Sequence, residues 1–323
     1  MRAVVLEGFG GLESLVIKEM PKPEARPGEV LIAVRAFGLN HAETHMRKGE
    51  WAESMPIIGI ECVGEVVSAP GGEFNPGDKV AAFMGGLGRT INGSYAEFTV
   101  APVTNVIKIN TTLPWEEFAA LPESYATAWI ALKANLDIQP GQTLLLRGAT
   151  SALGQAALNI AVDAGANVIA TTRSEAKFGK LLEMGAKRCE LEGPDLSKRL
   201  NDGKQVDSVL DLIGNSTLLD SVAIPHRHGR VCLIGWLGGL APIPDFNPLL
   251  QMASGIHFSL FVSVALGTPE FPVSEYHLQE IVEKVEKGIY KAKPAAVFSF
   301  DQIREAQALM ESNKANGKIV VKL

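Results

Sequence analysis

Cysteine is scarce. Three occur in 323 residues, at positions 62, 189 and 232, which excludes a disulfide framework and offers no metal-ligand spacing. Long apolar runs are also missing: none approaches the roughly 20 residues that a bilayer-spanning helix needs. The opening Met1-Arg2-Ala3-Val4-Val5-Leu6-Glu7 reads as a strand rather than a leader, because Glu7 and the glycines behind it interrupt any apolar core. Positive charge is not in excess. With 30 Lys and Arg against 36 Asp and Glu, the net charge is −6, which argues against a nucleic-acid partner and leaves only a local basic pocket open. Repeats and low-complexity tracts are absent. Together these absences lead us to expect a cytoplasmic chain that needs no disulfides.

What is present is the composition of a globular protein, 46% hydrophobic and 20% charged, long enough for two domains with their own cores. Residues 1–118 carry short apolar runs, Glu29 to Ala36, Glu61 to Val67, Lys79 to Phe83 and Tyr95 to Val100. Turns such as Arg26-Pro27-Gly28 and Asn75-Pro76-Gly77-Asp78 punctuate them, which predicts a β-barrel-like domain. From 119 to 270 the style changes. Buried strands at 143–147, 167–171, 208–212 and 230–234 alternate with helices near 153–164, 175–184 and 216–223, the pattern of a doubly wound parallel sheet in an α/β fold. The remaining stretch, 271–323, predicts a helix at 275–287, a strand at 296–300, a helix at 301–311 and a strand at 318–323. It is too short for a third domain and is expected to return to the N-terminal barrel.

The stretch from Leu145 to Gly154 carries the most chemistry. An apolar strand runs into a turn of small residues, Gly148-Ala149-Thr150-Ser151, and then into a helix. Small residues let the backbone approach an anion, and the free N–H groups of a helix start face it, so this is a dinucleotide pyrophosphate site. The strict G-x-G-x-x-G pattern is replaced by Gly148, Ser151 and Gly154 at three-residue intervals. Thr150, Ser151, Ala152 and Leu153 are the expected phosphate contacts. The next strand ends at Thr172-Arg173, where an NAD site has an acidic residue for the ribose hydroxyls. A guanidinium pairs with a 2′-phosphate instead, with Ser174 and Lys177 nearby, so NADPH is expected. For Lys177 a solvated helix-face role stands beside the phosphate role.

The order of motifs resembles the medium-chain dehydrogenase/reductase superfamily. The residues that carry the likeness are Arg26-Pro27-Gly28-Glu29-Val30-Leu31, Gly38-Leu39-Asn40, Pro56-Ile57-Ile58-Gly59-Ile60-Glu61, Pro76-Gly77-Asp78-Lys79-Val80, Gly93-Ser94-Tyr95-Ala96-Glu97-Phe98 and Asn316-Gly317-Lys318-Ile319-Val320. The resemblance covers essentially the whole chain and implies a GroES-like β-domain joined to a Rossmann domain, usually as a homodimer. Zinc-containing members have a Cys where this chain has Asn40, a His where it has Ile60 and a third ligand near Ser124; the four-cysteine lobe is missing between Phe83 and Gly93. The resemblance is therefore to the zinc-independent quinone oxidoreductase-like branch, with no metal expected. Relatives often place a Tyr near the adenosine after the Met184-Gly185-Ala186 turn; here Leu191 and Glu192 lie closest, and Glu192 would oppose a phosphate unless it points away.

Substrate-side candidates are Asn40, His45, Trp51, Ser124 and Tyr125. Asn40 can donate to an oxyanion or a ribose hydroxyl, or simply hold a turn. His45 is a proton donor near neutral pH or a packing histidine. Trp51 has no usable acid and reads as a flat wall or as core. Tyr125 can donate. Thr127 is expected at the nicotinamide carboxamide. Gly235 and Trp236, in the glycine turn after the 230–234 strand, should line the ligand site. Leu260 and Phe261 are expected near the nicotinamide, in an apolar run able to pair with a second copy, and Lys318 completes the cofactor set. Cys62 reads as buried and His226-Arg227-His228 as surface. The expected function is hydride transfer from NADPH to quinones or α,β-unsaturated carbonyls. A non-catalytic NADPH-binding protein and a metal-free alcohol dehydrogenase-like enzyme are the alternatives.

Overall fold

The ten-residue strand Glu29–Gly38, apolar at nearly every position, is the frame of the first half of the fold. In the computed structural model, which describes residues 1–51, 53–200 and 203–323, it pairs on one edge with Glu61–Ser68 and on the other with Phe98–Pro102 and Ile319–Lys322. Register shifts between Leu31 and Ile32 and between Val34 and Ala36 bend the strand, as an inserted residue does. Lys79–Phe83 and Val106–Lys108 extend the sheet beyond Glu61–Ser68, and Ala296–Ser299 extends it beyond Ile319–Lys322. The C-terminal segment does return to the N-terminal β-domain: Val320 lies opposite Gly38 and Val321 opposite Phe37.

The chain forms two compact units, Met1–Ala126 with Ser263–Leu323, and Thr127–Val262. The limits expected from sequence, 118/119 and 270/271, enclose a longer central stretch. The second unit holds a six-stranded sheet in which every pairing is parallel, in the order Arg188–Leu191, Asn167–Thr172, Thr143–Arg147, Ser208–Asp211, Arg230–Leu233, His257–Leu260. Counted along the chain, that is the doubly wound order 3-2-1-4-5-6. The reversal falls between Thr143–Arg147 and Ser208–Asp211, directly beneath Gly148. Leu144, Leu145 and Leu146 are fully buried, as a central parallel strand covered on both faces requires.

Several elements differ from expectation for local reasons. The helix expected from 275 begins at Leu278, because His277 takes a left-handed conformation (φ 47°) that separates it from a tight turn at Val273–Tyr276. The strand expected from Tyr95 begins at Phe98, because the Tyr95 amide donates to Ile58 O at 3.0 Å rather than entering the sheet. The edge strand is His257–Leu260, so Phe261 lies just past its end. Helix His41–Lys48 is poorly legible in sequence, with only Ala42 and Met46 apolar, yet the N-cap Asn40 and Glu43 form a reciprocal capping box at its start.

Candidate functional site

In the second unit, Gly148 follows the central strand with φ +80°, a conformation that favours glycine. The Ser151 hydroxyl accepts from Gly154 N at 3.0 Å and donates to Gly148 O at 2.9 Å, capping helix Ala152–Asp163. A Cβ on Gly154 would sit 2.7 Å from Ala149 Cα, so only glycine lets this helix pack so close to the turn. The first-turn amides of Ala152 and Leu153 have no intrahelical acceptor by geometry and carry the positive end of the helix dipole. This cradle fits a dinucleotide pyrophosphate. The Ser151 side chain is occupied within the turn, so its contribution to an anion comes through the backbone it orders.

Gly235 and Trp236 join the same rim. A Cβ on Gly148 would come 3.1 Å from Leu237 Cδ1, and Gly214 lies so near Gly235 O that a Cβ there would stand 2.7 Å away. The three loops after the central strands therefore converge, with Gly148, Gly235 and Trp236 side by side at the sheet's C-terminal edge, where ligands of such sheets bind. Thr150, Ala152, Leu153 and Trp236 are partly exposed there. Thr127 is buried. Phe261 is buried and its amide donates to Leu233 O at 3.1 Å, whereas Leu260 is 54% exposed on the edge strand.

At the end of strand Asn167–Thr172, Arg173 is exposed and Ser174 and Lys177 are partly exposed. Burial, and then the nearby Lys177 charge, lower the Lys180 pKa, so two cations share this corner. Glu192 points away from it. Its carboxylate accepts from Arg147 Nη2 at 2.5 Å, Arg147 Nε at 3.2 Å, the Thr171 hydroxyl at 2.6 Å and Gly193 N at 3.0 Å. Thr171 Oγ1 in turn accepts from Gly148 N at 3.1 Å, which ties this buried pair to the phosphate turn. Arg147 also donates to Asp220 Oδ2 at 2.9 Å and to Ser221 Oγ at 3.0 Å, and the Ser221 hydroxyl donates to buried Asp211 at 2.6 Å.

In the first unit, Asn40, Ser124 and Lys318 meet around one ammonium. Lys318 Nζ donates to Glu61 Oε1 at 2.5 Å, Asn40 Oδ1 at 2.7 Å and Ser124 Oγ at 3.1 Å. Glu61 Oε1 also accepts from Asn40 Nδ2 at 2.9 Å, and Oε2 from Glu123 N at 3.0 Å. A Cβ on Gly38 would lie 2.6 Å from Glu61 Oε1, so a bare backbone makes room for the pair. Glu43 stands beside it, fully buried, accepting from Asn40 N at 2.8 Å and Ile60 N at 3.2 Å; burial pushes its pKa up to about 7. These positions do not fit a metal. Asn40, Ile60 and Ser124 supply no thiolate or imidazole, an ammonium already stands between two of them, and among the described residues no group of three His, Cys, Asp or Glu side chains could hold a metal ion.

His45 and Trp51 stack, with ring centroids 5.8 Å apart and planes at 10°, and His45 Nδ1 lies 2.5 Å from Glu50 Oε2. Tyr125 is buried and stacks on Tyr290 at 5.8 Å. Cys62 is buried, and burial pushes its thiol far up, away from reactivity. His226 is half-exposed and bonded to Asp207 at 3.0 Å. The anchors that sequence reading passed over are Glu43, Arg147 and Thr171. Their signal is a polar side chain inside an apolar element, as in Leu144-Leu145-Leu146-Arg147, which must find a buried partner.

Residues 26–111 match the alcohol dehydrogenase GroES-like domain, and residues 184–321 match the zinc-binding dehydrogenase family. The whole chain is 30% identical to 98% of the mouse (Mus musculus) quinone oxidoreductase and 27% identical to 98% of the human (Homo sapiens) one. Among solved structures, an NAD-dependent alcohol dehydrogenase matches at TM-score 0.85 and 28% identity over 100% of both chains. A mycobacterial protein complexed with NADPH matches at TM-score 0.88 and 23% identity, also over 100% of both. The chain belongs to the medium-chain dehydrogenase/reductase superfamily, in its quinone oxidoreductase-like branch. It is an oxidoreductase with a GroES-like β-domain and a parallel Rossmann sheet. No helix among the described residues is long and apolar enough to cross a membrane.

Proposed function

We propose that the protein is an NADPH-dependent, zinc-independent oxidoreductase that transfers hydride to quinones or α,β-unsaturated carbonyl compounds. One observation carries the cofactor choice: the strand end that sets nicotinamide specificity presents exposed Arg173, while Glu192, on the neighbouring strand end, is turned into Arg147. The names of the structural neighbours point both ways, one to NAD and one to NADPH, and the exposed Arg173 supports NADPH. Arg173, Ser174 and Lys177 hold the 2′-phosphate, and the Gly148–Leu153 turn holds the pyrophosphate through its amides. Thr127, Gly235, Trp236, Leu260 and Phe261 complete the cofactor set of the second unit.

Bound NADPH supplies the hydride, and the chain's own residues orient and stabilise. Asn40, Ile60 and Ser124 provide no Lewis acid for a plain ketone. A conjugated acceptor spreads its charge and can be reduced with hydrogen-bond help alone. His45, held by Glu50, or Tyr125 delivers the proton, and Trp51 and Ser124 are the first unit's substrate residues. The quinone oxidoreductases among the relatives support this class of acceptor. We place the protein in the cytoplasm as a homodimer. The exposed apolar side chains Phe258, Leu260 and Val262, on and just beyond the edge strand, support pairing with a second copy.

One observation favours a non-catalytic NADPH-binding role instead. The Asn40 side-chain amide donates to Glu61 at 2.9 Å and reaches Glu43 at 3.5 Å, so it is not free for an oxyanion. Oxidation of NADPH and of NADH is measured against benzoquinone, phenanthrenequinone, an alkenal, an alkyl vinyl ketone and a plain ketone. Turnover of the conjugated acceptors with NADPH supports the reductase. Tight NADPH binding without turnover of any acceptor replaces it with the binding role.

A further inference from the structure

We propose that Arg147 determines cofactor specificity from beneath the site, by holding the Glu192 carboxylate inward and so keeping the adenosine end open to a 2′-phosphate. The inference rests on the NADPH reading above. Glu192 follows strand Arg188–Leu191, and its amide donates to Thr172 O at 2.9 Å. It therefore stands beside Thr172-Arg173, the place where an outward carboxylate would accept ribose hydroxyls and repel a phosphate. In sequence this is an NAD-type liability. In the fold the side chain is only 6% exposed, because the guanidinium, the Thr171 hydroxyl and Gly193 N consume its acceptors.

The pull on Glu192 is electrostatic and geometric. The Arg147 side chain is fully buried at the end of an apolar strand and presents one edge to Glu192, by Nε and Nη2, and Nη1 to Asp220. A planar guanidinium can hold two carboxylates in this way, and an ammonium cannot match it. Glu192, Asp220 and Asp211 are gathered around this one cation, Asp211 through Ser221. Without it, three carboxylates face one another in a low-dielectric space. Glu192 is the one whose backbone is bonded to Thr172, the residue before Arg173, so it swings outward toward the adenosine end. There it neutralises Arg173 and offers the ribose an acceptor, which exchanges a phosphate site for a hydroxyl site.

Dissociation constants for NADPH and NADH, by quenching of protein fluorescence, test this on four proteins. The wild type is read first: tighter NADH than NADPH binding overturns the cofactor reading itself. For Arg147→Gln, NADPH binding weakens at least about tenfold and NADH binding less than about threefold. The double variant Arg147→Gln/Glu192→Gln, with the swinging charge removed, recovers NADPH binding to within about threefold of wild type. Arg147→Lys keeps the charge but loses the two-sided grip, so it shows a smaller loss that is still selective for NADPH, and it serves if Arg147→Gln does not fold. Equal losses for both cofactors in Arg147→Gln or Arg147→Lys, or no recovery in the double variant, overturn the role of Arg147, whatever the wild-type preference.

Discussion

Arg147 and Glu192 form a largely buried ion pair between the ends of two strands that are not neighbours. Strand Asn167–Thr172 lies between them in the sheet, and its Thr171 hydroxyl bridges from Glu192 to the Gly148 amide. The first unit has a counterpart in Lys318 and Glu61, a pair buried between the returning C-terminal strand and the strand after Ile60. In each unit one buried cation gathers a cluster of polar groups.

The Lys318–Glu61 pair predicts a specific stability pattern. Lys318→Met leaves Glu61 buried with donors from Asn40 and Glu123 but no cation. Breaking a buried pair on one side costs about 3–5 kcal/mol, and removing both charges costs far less. Urea denaturation of Lys318→Met, Glu61→Gln and the double variant checks this. A double variant no more stable than Lys318→Met would show that the charge pair is not what holds this corner together.

Much of the fold was legible because its signals are local. Leu144-Leu145-Leu146 before Gly148 gives a buried strand and a tight turn, and Gly154 gives close helix packing. Register and partner choice are not local. Nothing near position 192 shows that Glu192 would turn inward; that depends on Arg147, far away in sequence and brought close only by the strand order. Likewise Asn40, Ser124 and Lys318 could be named as site residues, but their convergence on one ammonium depends on the C-terminal strand pairing with Glu29–Gly38. The edges of elements failed where a single residue took an unusual backbone conformation, as His277 does.

Arg173→Asp reverses the charge at the exposed strand end without disturbing a buried partner. A charge-assisted contact to a phosphate is lost and a repulsion gained, so NADPH binding should weaken by about a hundredfold while NADH binding changes little. Fluorescence titration with both cofactors measures it. Equal weakening would remove Arg173 from the 2′-phosphate site.

Metal content follows from the donor set. With the Lys318 ammonium between Asn40 and Ser124, a divalent ion would meet a positive charge, two weak neutral donors and a Glu61 carboxylate already paired with that charge. Protein purified without chelators should carry well under one zinc per chain by elemental analysis. One equivalent of zinc that resists dialysis would contradict the zinc-independent reading.

Glu43 makes stability depend on pH in the direction opposite to most carboxylates. Burial raises its folded-state pKa to about 7 from the ordinary 4.5, against the opposing pull of Lys318 and its two backbone donors. The native state therefore holds a proton that the unfolded chain releases between those two values. Below the unfolded pKa both states are protonated and the contribution is fully present. It is lost as pH rises through the folded pKa and is constant above it, with a slope of at most about 1.4 kcal/mol per pH unit. Urea denaturation between about pH 5 and about pH 8 should show wild-type stability falling relative to Glu43→Gln, which carries no titrating proton at this position. Parallel pH profiles for the two proteins would mean that Glu43 is already ionised in the fold at the lower end of that range.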